Sequence, residues 1–286
     1  MVRFAYGCLP SLMSLSFANH MIRREGLIPR CIVLSVGGLR FEKKQYSTAG
    51  ALPLLLKRFG PRFTAYLALS GLGTALPAFR RRASNGLLGF KQLAREHGIA
   101  LVLSEDFSSA ETLARLAPFD LELFVTCMCD QILREPLLSQ PPLGCVNIHA
   151  SLLPDFRGVD SIFQAMLNDV TELGATLHRT AARIDAGDSY GQLGFTRAPD
   201  DSHLLVLAKA AAVGSRLLQR HLHAIDRGQP PVATPLDPAA ARFPYRSWPR
   251  RDELRAFRGK GLAYWRARDL RRVLAFDDVL DGVRVL

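Results

Sequence analysis

Apolar and polar positions follow two periods along this chain, and the switches between them mark its elements. Short apolar runs at 2–6, 30–36, 100–104, 121–127 and 145–149 read as buried strands, with Gly7 and Gly37-Gly38 turning the chain after the first two. Helical stretches fall between and after them, at 11–24, 109–117 and 159–170. A long one at 204–225 carries Leu205, Leu207, Ala208, Ala212, Leu217 and Leu218 on one face. Gly174 to Thr180 and Tyr190 to Thr196 read as further strands flanking a polar loop at Asp185. Strands alternating with helices predict an α/β fold, a mostly parallel twisted sheet with helices on both faces, Rossmann-like in layout.

Two stretches break this rhythm. Residues 42–90 form an insertion in which leucines and phenylalanines are punctuated by Lys57, Arg58, Arg62 and Arg80-Arg81-Arg82; Gly60-Pro61, Gly71, Gly73 and Pro77 divide it into short helices. After Gly228-Gln229-Pro230-Pro231 the periodicity fades. A basic C-terminal extension, 227–286, follows a first unit of 1–226, and it holds a helix at about 252–257.

Charge sharpens this picture. The net charge of +11 is uneven: from Lys43 to Arg95 there are ten Lys or Arg and no acid, and after Asp226 thirteen against seven. Such a balance suits an anionic partner, whether nucleotide phosphate, RNA or a carrier, and equally suits a plain solvated surface. The insertion is open to four readings: a lid over a bound acceptor, an interfacial membrane contact, a dimer surface, or an extra helical pair on the sheet edge. No apolar run is long enough to span a bilayer, and the first residues read as strand and turn rather than as a secretory leader. The five cysteines read as reduced thiols of a cytoplasmic protein. Cys127 and Cys129 lack the second pair or histidine cluster that a metal site needs, so no metal is expected.

The candidate chemistry sits at the end of the 145–149 strand, in Asn147-Ile148-His149-Ala150-Ser151-Leu152-Leu153-Pro154. Period-two alternation puts Asn147, His149 and Ser151 on one face, and the carboxyl ends of parallel strands are where ligands bind. An amide beside an imidazole there can hold a carbonyl oxygen and manage a proton. With Phe156-Arg157-Gly158 and then Ile184-Asp185-Ala186-Gly187-Asp188, the motif resembles the folate-dependent formyltransferases, a family that includes methionyl-tRNA, glycinamide ribonucleotide and sugar N-formyltransferases and formyltetrahydrofolate hydrolases. The likeness runs from about Lys91 to about Arg197 and weakens from 1 to 40.

That resemblance implies formyl transfer from N10-formyltetrahydrofolate to an amine. Asn147 would donate to the oxyanion, His149 would donate there or carry a proton to the leaving nitrogen, and Asp185 would hold His149 or a water that collects the amine's proton. It also implies a folate pocket between Gln131, Ile132 and Leu133 on one side and Ala181, Ala182, Arg183 and Ile184 on the other. Ser151 would support the loop, Arg157 would lie by the acceptor, and His178 would stand near the site. The expected acceptor is a small or specialised amine: an amino sugar, an amino acid derivative or a carrier-bound intermediate. Gly7-Cys8-Leu9-Pro10-Ser11 lacks the second glycine with which glycinamide ribonucleotide enzymes hold a phosphate. Methionyl-tRNA is the alternative acceptor, although residues 227–286 are too few and too poor in alternating strands for the β-barrel that those enzymes carry there. Hydrolysis of the same folate is the other alternative, with water replacing the amine.

Overall fold

A computed structural model describes residues 1–41, 44–72, 86–181 and 184–286. Seven strands form its main sheet: β1 (Phe4–Cys8), β2 (Cys31–Ser35), β5 (Ala100–Ser104), β6 (Leu123–Cys127), β7 (Cys145–His149), β8 (Glu172–Arg179) and β9 (Ser189–Thr196), in the order β5-β2-β1-β6-β7-β8-β9. The first five are parallel; β8 runs antiparallel to β7, and β9 to β8. The chain builds outward from β1 to β2 and β5, then returns to lay β6 on β1's other side. That reversal opens a crevice at the carboxyl ends of β1 and β6. Two short strands, β3 (Leu39–Phe41) and β4 (Lys44–Tyr46), pair separately as a hairpin that the sequence pattern did not predict.

Strands β1, β2 and β6 are buried throughout and mostly apolar because both their faces are covered. One face packs on α1 (Leu12–Asn19) and on α7 (His203–Asp226), whose buried stripe runs from Leu204 to Leu222. The other packs on Phe107 and on Leu113 and Leu116 of α5 (Ala110–Leu116). Helices thus lie on both faces, as the α/β reading required. Ser11, Ser109 and Ser202 each cap the helix that follows, accepting a backbone N–H in its first turn.

The described part of the insertion carries two helices, broken where Gly60-Pro61 predicted: α2 (Thr48–Phe59) and α3 (Pro61–Leu72). Phe59, Phe63 and Tyr66 turn into the main core. Arg80, Arg81 and Arg82 lie outside the described residues. After α4 (Phe90–His97) and α6 (Ser161–Leu167), the extension adds α8 (Arg251–Gly259) and α9 (Ala267–Ala275). Leu254, Phe257, Tyr264, Val273 and Phe276 bury their side chains in the same core as α1 and α7. Helix α9 escaped prediction because its apolar stripe is only Leu270, Val273 and Leu274 among arginines. Among the described residues, no helix is long and apolar enough to cross a membrane.

Of the histidines buried within this frame, two bear on acid stability. Burial drives His221, packed on Tyr190, from 6.5 down to about 4, and burial followed by the nearby Arg24 does the same to His20. A lowered folded-state value means that the unfolded chain takes up the proton first as pH falls. Their contribution to stability is present above about pH 6.5 and is lost as pH falls towards about 4. The melting temperature of His221→Leu is therefore expected to drop less than that of the parent between about pH 7 and about pH 4.5. An equal drop in both proteins assigns the acid loss to other groups.

Candidate active site

The pleat of β7 sets the site. Cys145, Asn147 and His149 point to one face, while Val146 and Ile148 point into the main core on the other. Asn147 is gripped at both ends of its amide. Thr126, its register partner on β6, places Oγ1 2.9 Å from Asn147 Oδ1. His178, its partner on β8, places Nε2 3.1 Å from Asn147 Nδ2. The hydroxyl donates to the amide oxygen, so the NH₂ group faces the imidazole and donates to it. His178 Nδ1 lies 2.9 Å from the Arg179 carbonyl oxygen and must be the protonated nitrogen of the ring. Burial, reinforced by neighbouring His149, lowers the pKa of His178, so the ring stays neutral and accepts. One amide proton of Asn147 is thereby engaged, and the second has no partner among the described residues.

His149 donates its Nε2–H to the Phe156 carbonyl at 3.0 Å and turns Nδ1 towards Asp185, 3.6 Å from Oδ2. Asp185 Oδ1 lies 3.7 Å from His178 Nε2, so the carboxylate sits between two imidazoles at charge-contact rather than hydrogen-bond range. Its Oδ2 also accepts the Gly158 N–H at 2.9 Å. The sequence let His149 donate to the reacting oxygen or carry a proton to the leaving nitrogen. Here its Nε2–H is committed to Phe156, and its Nδ1 faces Asp185.

The loop after β7 is fastened from several sides. Ser151 Oγ donates to the Asp155 carbonyl, Thr176 Oγ1 donates to the Ser151 carbonyl, and Ser161 Oγ donates to that of Ala150. Asp155 accepts the backbone N–H groups of Arg242 and Phe243, and Phe156 stacks on Phe243 at 4.4 Å, a pairing worth about 0.5–1.5 kcal/mol beyond its buried area. Gly158 adopts φ +100°, and a Cβ there would strike the Arg246 carbonyl oxygen and the Tyr245 ring, so only glycine can present this N–H to Asp185. Arg157 Nε is buried with no hydrogen-bond partner.

Beside the site a cavity of about 380 Å³ is lined by Glu135, Leu138, Pro142, Cys145, Arg179 and Thr180, among others. Cys145 lies one pleat before Asn147 on the same face, and Thr180 follows His178 by two residues with its Oγ1 buried and unpartnered. The residues expected to line a folate pocket sit next to this space rather than in it. Gln131 holds the Phe107 N–H and the Ser35 hydroxyl, Leu133 is buried, and Ile132 and Ile184 are 60% and 45% exposed. Ala181 is exposed as well, and Ala182 and Arg183 lie outside the described residues. Thr126 was missed by the sequence reading, and Gly158 was read only as part of the Phe156-Arg157-Gly158 loop; the signal for Thr126 was a hydroxyl among apolar neighbours at the same depth of the sheet as Asn147. No cluster of metal-ligating side chains occurs among the described residues.

An amide, two imidazoles and a carboxylate gathered beside a cavity at the carboxyl end of a parallel strand define an α/β enzyme site. Residues 88–222, which contain every one of those side chains, match the family model for formyl transferase. A methionyl-tRNA formyltransferase of Lysinibacillus sphaericus is 36% identical over 135 residues, which is 47% of this chain and 43% of that protein. The chain thus spans less than half the length of this curated relative. The fold is similar to that of glycinamide ribonucleotide transformylase 1 from Symbiobacterium toebii, with a TM-score of 0.52 and 20% identity over 83% of this chain and 95% of the other. A sugar 3N-formyl transferase, WlaRD, solved with dTDP and 5-N-formyl-THF, gives 0.50 and 14% over 86% and 70%.

The hydrogen-bond pattern makes a prediction about His178. Imidazole nitrogen resonances should report the Nδ1–H tautomer, and the ring should take up its proton at lower pH than an ordinary histidine. An Nε2–H tautomer would reverse the donor direction assigned to Asn147.

Proposed function

We propose that this protein transfers a formyl group from N10-formyltetrahydrofolate to an amine acceptor. The single observation that carries the reading is the Asn147 amide: fixed by Thr126 and His178, it keeps its second N–H, without a partner among the described residues, beside the His149–Asp185 pair. When the amine adds to the formyl carbon, the carbonyl oxygen gains negative charge, and the second Asn147 N–H is positioned to meet it. A preorganised donor of this kind lowers the barrier by roughly 3–4 kcal/mol. Asp185 takes the proton that the amine must lose, with the His149 ring beside it to share the resulting charge and pass the proton on to the leaving nitrogen. His178, neutral and tied to Arg179, holds the amide in place.

The donor fits the cavity beside Asn147. Its walls of Leu138, Pro142 and Cys145 suit a flat heterocycle, and the unpartnered Thr180 hydroxyl suits a ring nitrogen or amino group. Gln131, Ile132 and Leu133, which precede Glu135 of the cavity wall, and Ala181 and Ile184, which follow Thr180, complete the proposed folate site. The acceptor enters over Gly158, where the Tyr245 ring is 43% exposed and Arg157 has an unpartnered nitrogen. An aromatic face and a guanidinium suit a small amine that also carries an anionic group, such as a nucleotide-linked amino sugar. A second reading, with methionyl-tRNA as acceptor, is favoured by the name of the curated relative and by the basic balance of the chain.

The test is formylation of a panel of amines with N10-formyltetrahydrofolate: nucleotide-linked amino sugars, amino acids and aminoacylated initiator tRNA. Formate release with no formylated amine would favour the hydrolase instead. Asn147→Ala is expected to lower kcat at least about a hundredfold while donor affinity changes little, because that N–H acts on charge that develops only in the transition state. Asp185→Asn should lose more, with an unchanged melting temperature; full activity across neutral pH would remove Asp185 from the proton path. Thr180→Val is expected to weaken donor binding, measured by calorimetry, and to leave acceptor KM unchanged.

A further inference from the structure

A buried chain of three polar side chains connects the insertion to the loop that holds Asp185. Tyr66, on α3, places its hydroxyl 2.7 Å from His203 Nδ1, and His203 Nε2 lies 2.7 Å from Asp160 Oδ1. Tyr66 and His203 are 3% and 1% exposed. A carboxylate accepts only, so His203 donates from Nε2, which leaves Nδ1 to accept from the tyrosine hydroxyl. The direction Tyr66 to His203 to Asp160 follows from the chemistry of its last member.

Asp160 shows that this chain has a positional task. It occupies the N-cap of α6, where an aspartate ordinarily accepts a backbone N–H of the first turn, yet its side chain makes no capping bond. It is turned away to His203 instead, on a backbone at φ +55° and ψ +51° that non-glycine residues rarely adopt. Two residues earlier stands Gly158, whose N–H holds Asp185. Between them the Val159 N–H donates to the Arg246 carbonyl. The loop aims one N–H at the Asp185 carboxylate, and its far end is tied by the Asp160–His203 hydrogen bond at a helix terminus.

We propose that Tyr66, His203 and Asp160 form a positioning relay through which the insertion helix sets where Gly158 presents its N–H to Asp185. This rests on the formyl-transfer reading only for its kinetic arm. None of the three touches the reacting atoms. Tyr66 is locked in turn by stacking on Tyr264 at 5.7 Å and by an edge contact with His203, so the relay starts from a rigid aromatic cluster. Losing the Asp160–His203 hydrogen bond lets this end of the loop shift, and a misplacement of about 1 Å at a proton acceptor costs up to about a hundredfold in rate.

The experiment uses Asp160→Asn and Tyr66→Phe in the full chain. The imidazole resonances of His149 and His178 are followed in ligand-free protein, and kinetics are measured with the donor and whichever amine the panel identifies. Both variants are expected to shift the His149 and His178 signals, Asp160→Asn the more, because Asp185 lies against both rings. kcat should fall about tenfold or more in Asp160→Asn and a few-fold in Tyr66→Phe, with both KM values within about twofold of the parent. Tyr66→Phe keeps the stacked ring, so it reads the relay even if Asp160→Asn fails to fold. Unchanged histidine signals in a folded variant overturn the relay, whatever the kinetics. A raised acceptor KM at constant kcat overturns it too, since Asp160 would then be meeting the acceptor. Failure of the parent to formylate any amine, with the histidine shifts present, removes the formyl-transfer reading and leaves the relay standing.

Discussion

The antiparallel register of β8 on β7 is the constraint on which the site depends. It sets His178 opposite Asn147, and from that pairing follow the amide's orientation, the tautomer of His178 and the role of the second N–H. A slip of one residue would turn His178 to the far face of the sheet and leave the amide without its acceptor. The register is held from outside the site by Thr176, which bonds the Ser151 carbonyl, the Leu153 N–H and the Gln192 side chain at once. β8 therefore does more than extend the sheet: it aligns the strand that carries the chemistry.

A second consequence of burial is that charge at the site is concentrated. His178 is kept neutral by its surroundings, so Asp185 faces one ring that accepts a bond from Asn147 and another that donates to Phe156. Each nitrogen of the two histidines has a distinct neighbour. In such a setting a proton has few alternative places to go, which is what directional transfer requires.

Much of the sheet was legible in the sequence because its strands are short apolar runs, and 100–104 and 145–149 coincide with β5 and β7. The alternation that puts Asn147 and His149 on one face was equally plain. The hairpin β3–β4 and helix α9 were not, since three-residue strands and a narrow stripe among arginines carry too little pattern. What no pattern could reveal were contacts across distance. Thr126 reads as an ordinary strand residue until its neighbour is known, and His203 and Tyr66 stand 137 positions apart. Asp160 reads as a routine helix cap, and only the folded partner shows why its side chain leaves that duty.

The contact between the Phe156 loop and residues 242–246 bears on the order of events during synthesis. Asp155 and its partners Arg242 and Phe243 are 87 and 88 positions apart, and Gly158 pairs with Arg246. Translation delivers residues in sequence, so β7, β8 and α7 can assemble while this stretch is still inside the ribosome. During that interval the Phe156 ring lacks its stacking partner and the glycine loop lacks its brace. The residues of the candidate site are thus made early and seated late, and a nascent chain can hold its sheet before that site is complete.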